Sequence, residues 1–328
     1  MKQLIKNTLT HLAAGLGQHR FSSTAPHLWV LMYHRILPVN DARYAFEEPG
    51  MIVTPETFRQ HLQTLKSLFE LMPLSEWIAR RNADQSLPRR ACAITFDDGW
   101  LDNYQFAFPI LIEEQVPATL FAVSHMIGTT RQFWPNRFTR LLAARSGGTP
   151  LPAFDDIIDL SNQPVITRDL LADFILRLKV LSDTELDDRL DRAEQGLQLA
   201  AEKMPALMSW DNVRAMCNSD LVEIGSHTCN HFRLQQQLSD AVLLREIRDS
   251  RTMIEQQIER PVTLFCYPNG DTSKAAIDLV GQHYQGAVTT RRGINNAASK
   301  ALELTRIGIH EDITNTRSKF EARLSGLI

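Results

Sequence analysis

At 328 residues, with 44% hydrophobic and 22% charged side chains, the chain has the composition of a globular protein with room for one large α/β core or two smaller domains. Its formal charge of −3 argues against a nucleic-acid-binding face, which needs a gathered basic excess. No run approaches the ~18–20 unbroken apolar residues of a membrane span.

The first 27 residues read as an amphipathic segment. Leu4, Ile5, Leu9, Leu12 and Leu16 recur at helical spacing but are interrupted by Lys6, Asn7, Thr10 and His11, unlike the continuous apolar centre of a secretory signal. Such a helix either packs on its own domain, the preferred reading, or makes a peripheral membrane contact. From residue 28 onward, seven short apolar runs rich in β-formers are separated by helical patterns. They are 28–33 (LWVLMY), 91–96 (ACAITF), 118–123 (ATLFAV), 221–225 (LVEIG), 262–266 (VTLFC), 286–290 (GAVTT) and 304–309 (LTRIGI). Most are continuously apolar rather than alternating, which suits parallel strands covered on both faces. Among the helices, Thr54 caps one with Pro55 at its first position, Ser209 caps one from Trp210, and Ser239 or Asp240 caps one that stops before Pro261. About 135–205 holds loop-forming SGGTPLP and then charge-rich helical sequence without a good strand, and reads as a helical insertion. The alternation predicts an α/β fold, with seven units favouring a barrel. The four cysteines form no CxxC pair and, with no convincing signal peptide, point to reduced thiols in the cytoplasm.

Reactive side chains fall just after three of these strands, the end at which parallel α/β folds build sites. Asp97-Asp98-Gly99 follows ACAITF; two adjacent carboxylates repel, and a cation would offset that while leaving one Asp free as a base. His227 and His231, four apart after LVEIG, can converge on one metal, with Asp98 as the third ligand. Cys229 between them reads as filler. Tyr267-Pro268-Asn269-Gly270 follows the fifth strand and builds a fixed turn whose backbone amide could face the site.

TFDDG, then HTxxH, then YPxG resembles the polysaccharide deacetylases of carbohydrate esterase family 4, the nodulation-type deacetylase domain, over about residues 28–310. The resemblance implies a distorted (β/α)7 barrel spanning 28–328, here with the helical insertion. It also implies a divalent metal, commonly Zn2+, and hydrolytic removal of N-acetyl groups from an N-acylated carbohydrate. Removal of a formyl group, or another non-peptide amide hydrolysis, on the same scaffold is the alternative; a non-catalytic sugar-binding protein is the rival of another class. Carried over residue by residue, Asp97 matches the general base, Asp98, His227 and His231 the metal ligands, and Tyr267 the position whose amide helps hold the oxyanion. The leaving amine needs an acid. His34, in a Tyr-His pair resembling the permuted poly-N-acetylglucosamine deacetylases, is favoured over His310, which follows the last strand. The family's arginine before the third motif's proline is missing from Phe-Cys-Tyr-Pro, which leaves the orientation of Asp97 open. Asp102 is expected to be structural.

Overall fold

The computed structural model describes residues 2–21, 25–44, 47–48, 50–145, 149–160, 166–235 and 238–327. Seven parallel strands close into a barrel: β1 (His27–Tyr33), β2 (Arg90–Phe96), β3 (Ala118–Ala122), β4 (Val222–Ser226), β5 (Leu264–Cys266), β6 (Gly286–Arg292) and β7 (Leu304–Gly308). They correspond one for one to the seven runs of the sequence. Closure is made by β1, which pairs with β2 from His27↔Arg90 to Tyr33↔Phe96 and, on its other edge, with β7 at Leu31↔Ile307.

Because side chains alternate across a strand, each barrel strand faces the lumen at every second residue. Leu28 and Val30 of β1, Ala91 and Ala93 of β2, Phe121 of β3, Leu264 and Cys266 of β5, Val288 of β6 and Leu304 of β7 share one buried cluster. Leu74, Trp77 and Ile78, from the helix Leu74–Asn82, belong to the same cluster. The intervening residues Trp29, Leu31, Tyr33, Cys92, Ile94 and Phe96 pack outward in the cluster shared with the surrounding helices. The lumen is tight: a Cβ on Gly225 would come within 2.5 Å of the Phe121 ring. Burial on both faces is why these strands read as unbroken apolar runs.

Among the helices, those that bear on the site and the chain ends, numbered in chain order as introduced, are α1 (Lys2–Leu16), α2 (Pro55–Leu68), α3 (Leu74–Asn82), α4 (Trp134–Ala144), α5 (Arg168–Leu178), α6 (Asp183–Gly196), α7 (Trp210–Cys217), α8 (Asp240–Leu244), α9 (Ser250–Ile258) and α10 (Arg317–Leu324). Thr54 Oγ1 accepts from the Thr57 amide, Ser209 closes a capping box with Asn212, and Ser239 Oγ accepts from the Val242 amide. Such caps contribute about 1 kcal/mol each. Between α8 and α9 the chain widens into a π turn, Arg245–Asp249, where the sequence suggests one unbroken helix.

The stretch expected to be an insertion contains α4, α5 and α6 and has its own buried cluster, including Phe138, Phe154, Phe174 and Leu190. It is tied to the loop after β4 by Arg233, whose amide and Nε donate to Asp183 at 2.8 Å and whose Nη1 donates to the Lys179 carbonyl at 2.7 Å. At the other end of the chain, α1 packs through Ala13 and Ala14 on Ala322 of α10. Leu9, Leu12 and Leu16, the stripe expected to pack, are exposed instead. The side chains of Leu4 and Ile5 lie outside the described residues. All four cysteines are buried and free.

Candidate metal centre and catalytic pocket

The lumen register carries the chemistry. Continuing the inward series of β2 (Ala91, Ala93) brings Thr95 and then Asp97 to the top of the barrel. The same alternation brings His227 after β4, His34 after β1, Cys266 at the end of β5 and Arg306 on β7 to that end. A cavity of about 520 Å3 opens there, lined by His34, Asp97, Asp98, His227 and His231 together with Trp100, Phe133 and Trp134.

Asp98, His227 and His231 form a set whose donor atoms lie within 4.8 Å of one another. Both histidine Nε2 atoms sit 3.5 Å from Asp98 Oδ1. His227 Nδ1 lies 2.8 Å from the Cys266 carbonyl, which can only accept, so the proton resides on Nδ1 and the Nε2 lone pair faces the centre. The other oxygen of Asp98 accepts from Trp100 Nε1 at 2.8 Å, which turns Oδ1 towards the histidines. Two nitrogens and one carboxylate oxygen, each with an outer partner or a buried setting, fit a divalent ion such as zinc with coordination positions left open. Cys229 is not a member of this set; its thiol donates to the Arg245 carbonyl.

The backbone at these candidate ligands is left-handed at several positions. Asp98 has φ 78° and Gly99 φ 86°, and in the histidine loop Thr228 has φ 66° and His231 φ 62°. A β-branched residue there is strained by about 1–3 kcal/mol and persists only where its surroundings hold it. The holding groups are on both sides. The Thr228 and Cys229 carbonyls accept from the Ser124 and His125 amides at 3.1 and 2.9 Å. From the π turn, buried Glu246 accepts from the Cys229 amide (3.0 Å), the Asn230 amide (2.8 Å) and Asn230 Nδ2 (2.7 Å).

Asp97 is oriented by a residue outside the three motifs. Arg306 of β7 donates Nη1 to Asp97 Oδ1 and Nη2 to Oδ2, both at 2.7 Å. Its remaining donors reach Thr95 Oγ1 (3.0 Å), the Thr289 carbonyl (2.9 Å) and Cys266 Sγ (3.2 Å). Burial alone would raise the Asp97 carboxyl, but the charge and hydrogen bonds of Arg306 outweigh it and hold the group below the usual carboxylate range. The arginine missing beside Pro268 is thus replaced from the neighbouring part of the barrel wall. Its sequence signal was present: a charge at a lumen position of an otherwise apolar strand must have a partner.

His34 lines the cavity, with Nε2 3.8 Å from Asp97 Oδ2. His310 is not among the residues lining it; its Nδ1 lies 3.5 Å from Asp312, towards a separate depression with Arg168 and Asp169. Tyr267 requires a correction. Its amide donates to the Val288 carbonyl at 3.2 Å, extending the β5–β6 ladder, and its ring is fully buried, so that N–H is committed away from the cavity. The residue of this turn that lines the cavity is Asn269, with a left-handed backbone at φ 55°. Asp102 is structural as expected: it accepts from Arg35 Nε and Nη2 (3.0 and 2.9 Å) and from the Ile36 amide (2.8 Å). The Arg35 guanidinium then covers the Trp100 ring at 4.2 Å, supporting the indole that orients Asp98.

In this closed seven-stranded barrel, two histidines and an aspartate converge at the strand ends beside a second carboxylate, a donor set that could hold a metal ion. The sequence model for polysaccharide deacetylases matches residues 84–285, and the chain belongs to that family, whose members hydrolyse the amide bonds of N-acetyl sugars. Over 108 residues the chain is 32% identical to a poly-beta-1,6-N-acetyl-D-glucosamine N-deacetylase of Staphylococcus epidermidis, covering 30% of this chain and 37% of that one. Over 100 residues it is 31% identical to YxkH of Bacillus subtilis, covering 30% and 33%. The matches thus span about a third of these curated relatives. Among solved structures, the Streptococcus pyogenes deacetylase PplD superposes with a TM-score of 0.60 at 19% identity, covering 93% of this chain and 100% of that one. IcaB from Ammonifex degensii gives 0.59 at 17%, covering 91% and 97%. At these identities the structural likeness concerns the fold.

Proposed function

We propose that the chain is a metal-dependent hydrolase that removes the N-acetyl group from an amino sugar in a polysaccharide or glycan precursor. The observation that carries this reading is the convergence of Asp98, His227 and His231 beside an arginine-clamped Asp97 on one cavity. Asp98, His227 and His231 would hold the ion, with zinc fitting the nitrogen-rich donor set best; when bound, it polarises the acetyl carbonyl as a Lewis acid. Asp97, kept ionised by Arg306, takes the proton of the attacking water. His34, within reach of the same volume, hands a proton to the departing amine. The oxyanion would be met by the Asn269 backbone amide, in place of that of Tyr267. Half-buried Trp134, on the cavity wall, offers an apolar face against which a pyranose ring can lie.

The test is acetate release from N-acetylated oligosaccharides, with metal content measured alongside. The native protein should lose activity to a chelator and regain it with Zn2+. Asp97→Asn should retain the ion and lose activity by about 10²-fold or more. An Asp97→Asn protein as active as the native one would sink the assignment of the base.

A further inference from the structure

Outside the cavity, the large exposed apolar side chains are not scattered. Ten are exposed among the described residues, and four of them lie between residues 9 and 21: Leu9 at 54%, Leu12 at 51%, Leu16 at 60% and Phe21 at 56%. A fifth, Leu327, follows α10, against which α1 packs. Leu9, Leu12 and Leu16 are spaced three and four apart and so form one stripe. The opposite face of α1 is built for close contact, with Ala13 and Ala14 on Ala322 and Gly17 so near Ser325 that a Cβ would fall 2.4 Å from it. The small residues fix the helix to the protein, and the leucines point away.

Charge says what the stripe meets. The chain as a whole is at −3, yet no Asp or Glu precedes Asp41, while Lys2 and Lys6 fall within α1. On α10 the single acid, Glu321, is buried and paired with Arg20 and Arg317, so the exposed charges of the helix pair are basic (Arg20, Arg317, Lys319). Such a surface would repel a second copy of itself. It complements an anionic bilayer, in which an apolar stripe enters the headgroup boundary while flanking lysines stay at the phosphates.

We propose that α1 and the Phe21 segment dock the protein on anionic phospholipid through Leu9, Leu12, Leu16 and Phe21. The mode is interfacial, since no described helix is long and apolar enough to cross a membrane. The chain leaving α1 meets the start of β2, where Arg90 Nη1 donates to the His19 carbonyl at 2.8 Å. That is the end of the strands opposite the cavity, so docking leaves the cavity mouth unobstructed. The proposal does not rest on the chemistry assigned to that cavity.

The experiment is co-sedimentation of the full chain with vesicles of phosphatidylcholine alone or with about a third phosphatidylglycerol, at low and high salt. Binding is expected to the anionic vesicles only, and to weaken with salt. Leu12→Glu with Leu16→Glu should lower partitioning by about tenfold or more, with an unchanged melting curve and unchanged activity on a soluble substrate. Lys2→Gln with Lys6→Gln should lower it less and weaken the preference for anionic lipid, Arg20, Arg317 and Lys319 remaining. Absence of binding, or equal binding by the leucine variant, would overturn the proposal. So would a dimer in ultracentrifugation that the leucine variant abolishes, because the stripe would then belong to a second copy.

Discussion

The guanidinium of Arg306 places all five of its N–H groups on partners inside the barrel, two of them on the Asp97 carboxylate. Asp97 acts as a base only when ionised, and Arg306 is what holds its carboxyl low against the effect of burial. Arg306→Lys keeps a positive charge but loses the planar fork, so the Asp97 pKa should rise and the acid limb of the kcat/KM–pH profile should move to higher pH. A profile with the same acid limb as the native protein would show that Asp97 is tuned by something else. Arg306→Ala, which strands the Asp97 charge, should instead cost about 3–5 kcal/mol of stability. The two candidate acids separate by position. His34→Ala should cost about 10²-fold in kcat, whereas His310→Ala, outside the cavity lining, should cost little. Steady-state acetate release with both variants checks it, and the reverse order would reassign the acid.

The loop that carries His227 and His231 is shaped by two neighbouring elements rather than by its own preference, since Thr228 and His231 both adopt left-handed backbone. The turn after β3 holds its carbonyls, and the π turn between α8 and α9 presents Glu246 to its amides. A π turn displaces the side chains beyond it by one position relative to an α-helix, and here it sets a carboxylate under the loop. Glu246→Gln leaves one acceptor oxygen where three donors converge. Metal affinity should drop about 10–100-fold, with deacetylase activity restored at saturating metal. Competition with a chromophoric chelator measures it; an unchanged affinity would mean that the β3 side alone shapes the loop.

On the scale of the whole molecule, barrel closure is reinforced outside the lumen by α2. Buried His61 joins Tyr33 of β1 (3.1 Å) to the Thr314 carbonyl (2.8 Å) and stacks on Phe320 of α10 with ring centres 3.9 Å apart. Burial pushes its pKa down to about 4 from the ordinary histidine value of 6.5, so the folded protein keeps it neutral. Above pH 6.5 neither folded nor unfolded chain binds the proton. Below it the unfolded chain does, and stability falls by up to about 1.4 kcal/mol per pH unit until about pH 4, where the folded state titrates as well. Urea unfolding at about pH 7 and about pH 5 should therefore show a loss that is about 2 kcal/mol smaller in His61→Gln than in the native protein. An equal loss would remove His61 from the account.

All seven barrel strands were legible because a parallel strand covered on both faces must be apolar along its length, and a local window sees that. The caps at Thr54, Ser209 and Ser239 were legible for the same reason: each is a bond between residues three apart. The candidate ligand set was readable since Asp98, His227 and His231 each follow a strand within a few residues. Glu246, Trp100, Asn269 and the partner of Arg306 lie beyond local reading. Their roles depend on which strands become neighbours when β1 closes on β7 and on which residues of each strand face the lumen. The Tyr267 amide shows the converse, since the sequence places it at the site while its ladder partner Val288, on β6, takes the N–H. Sequence alone determined the strands, their order of chemistry and the candidate ligands, all set by local burial and spacing. Tertiary structure decided which charge clamps Asp97, which carboxylate shapes the histidine loop and which face of α1 is left to solvent, because each is a contact between segments far apart in the chain.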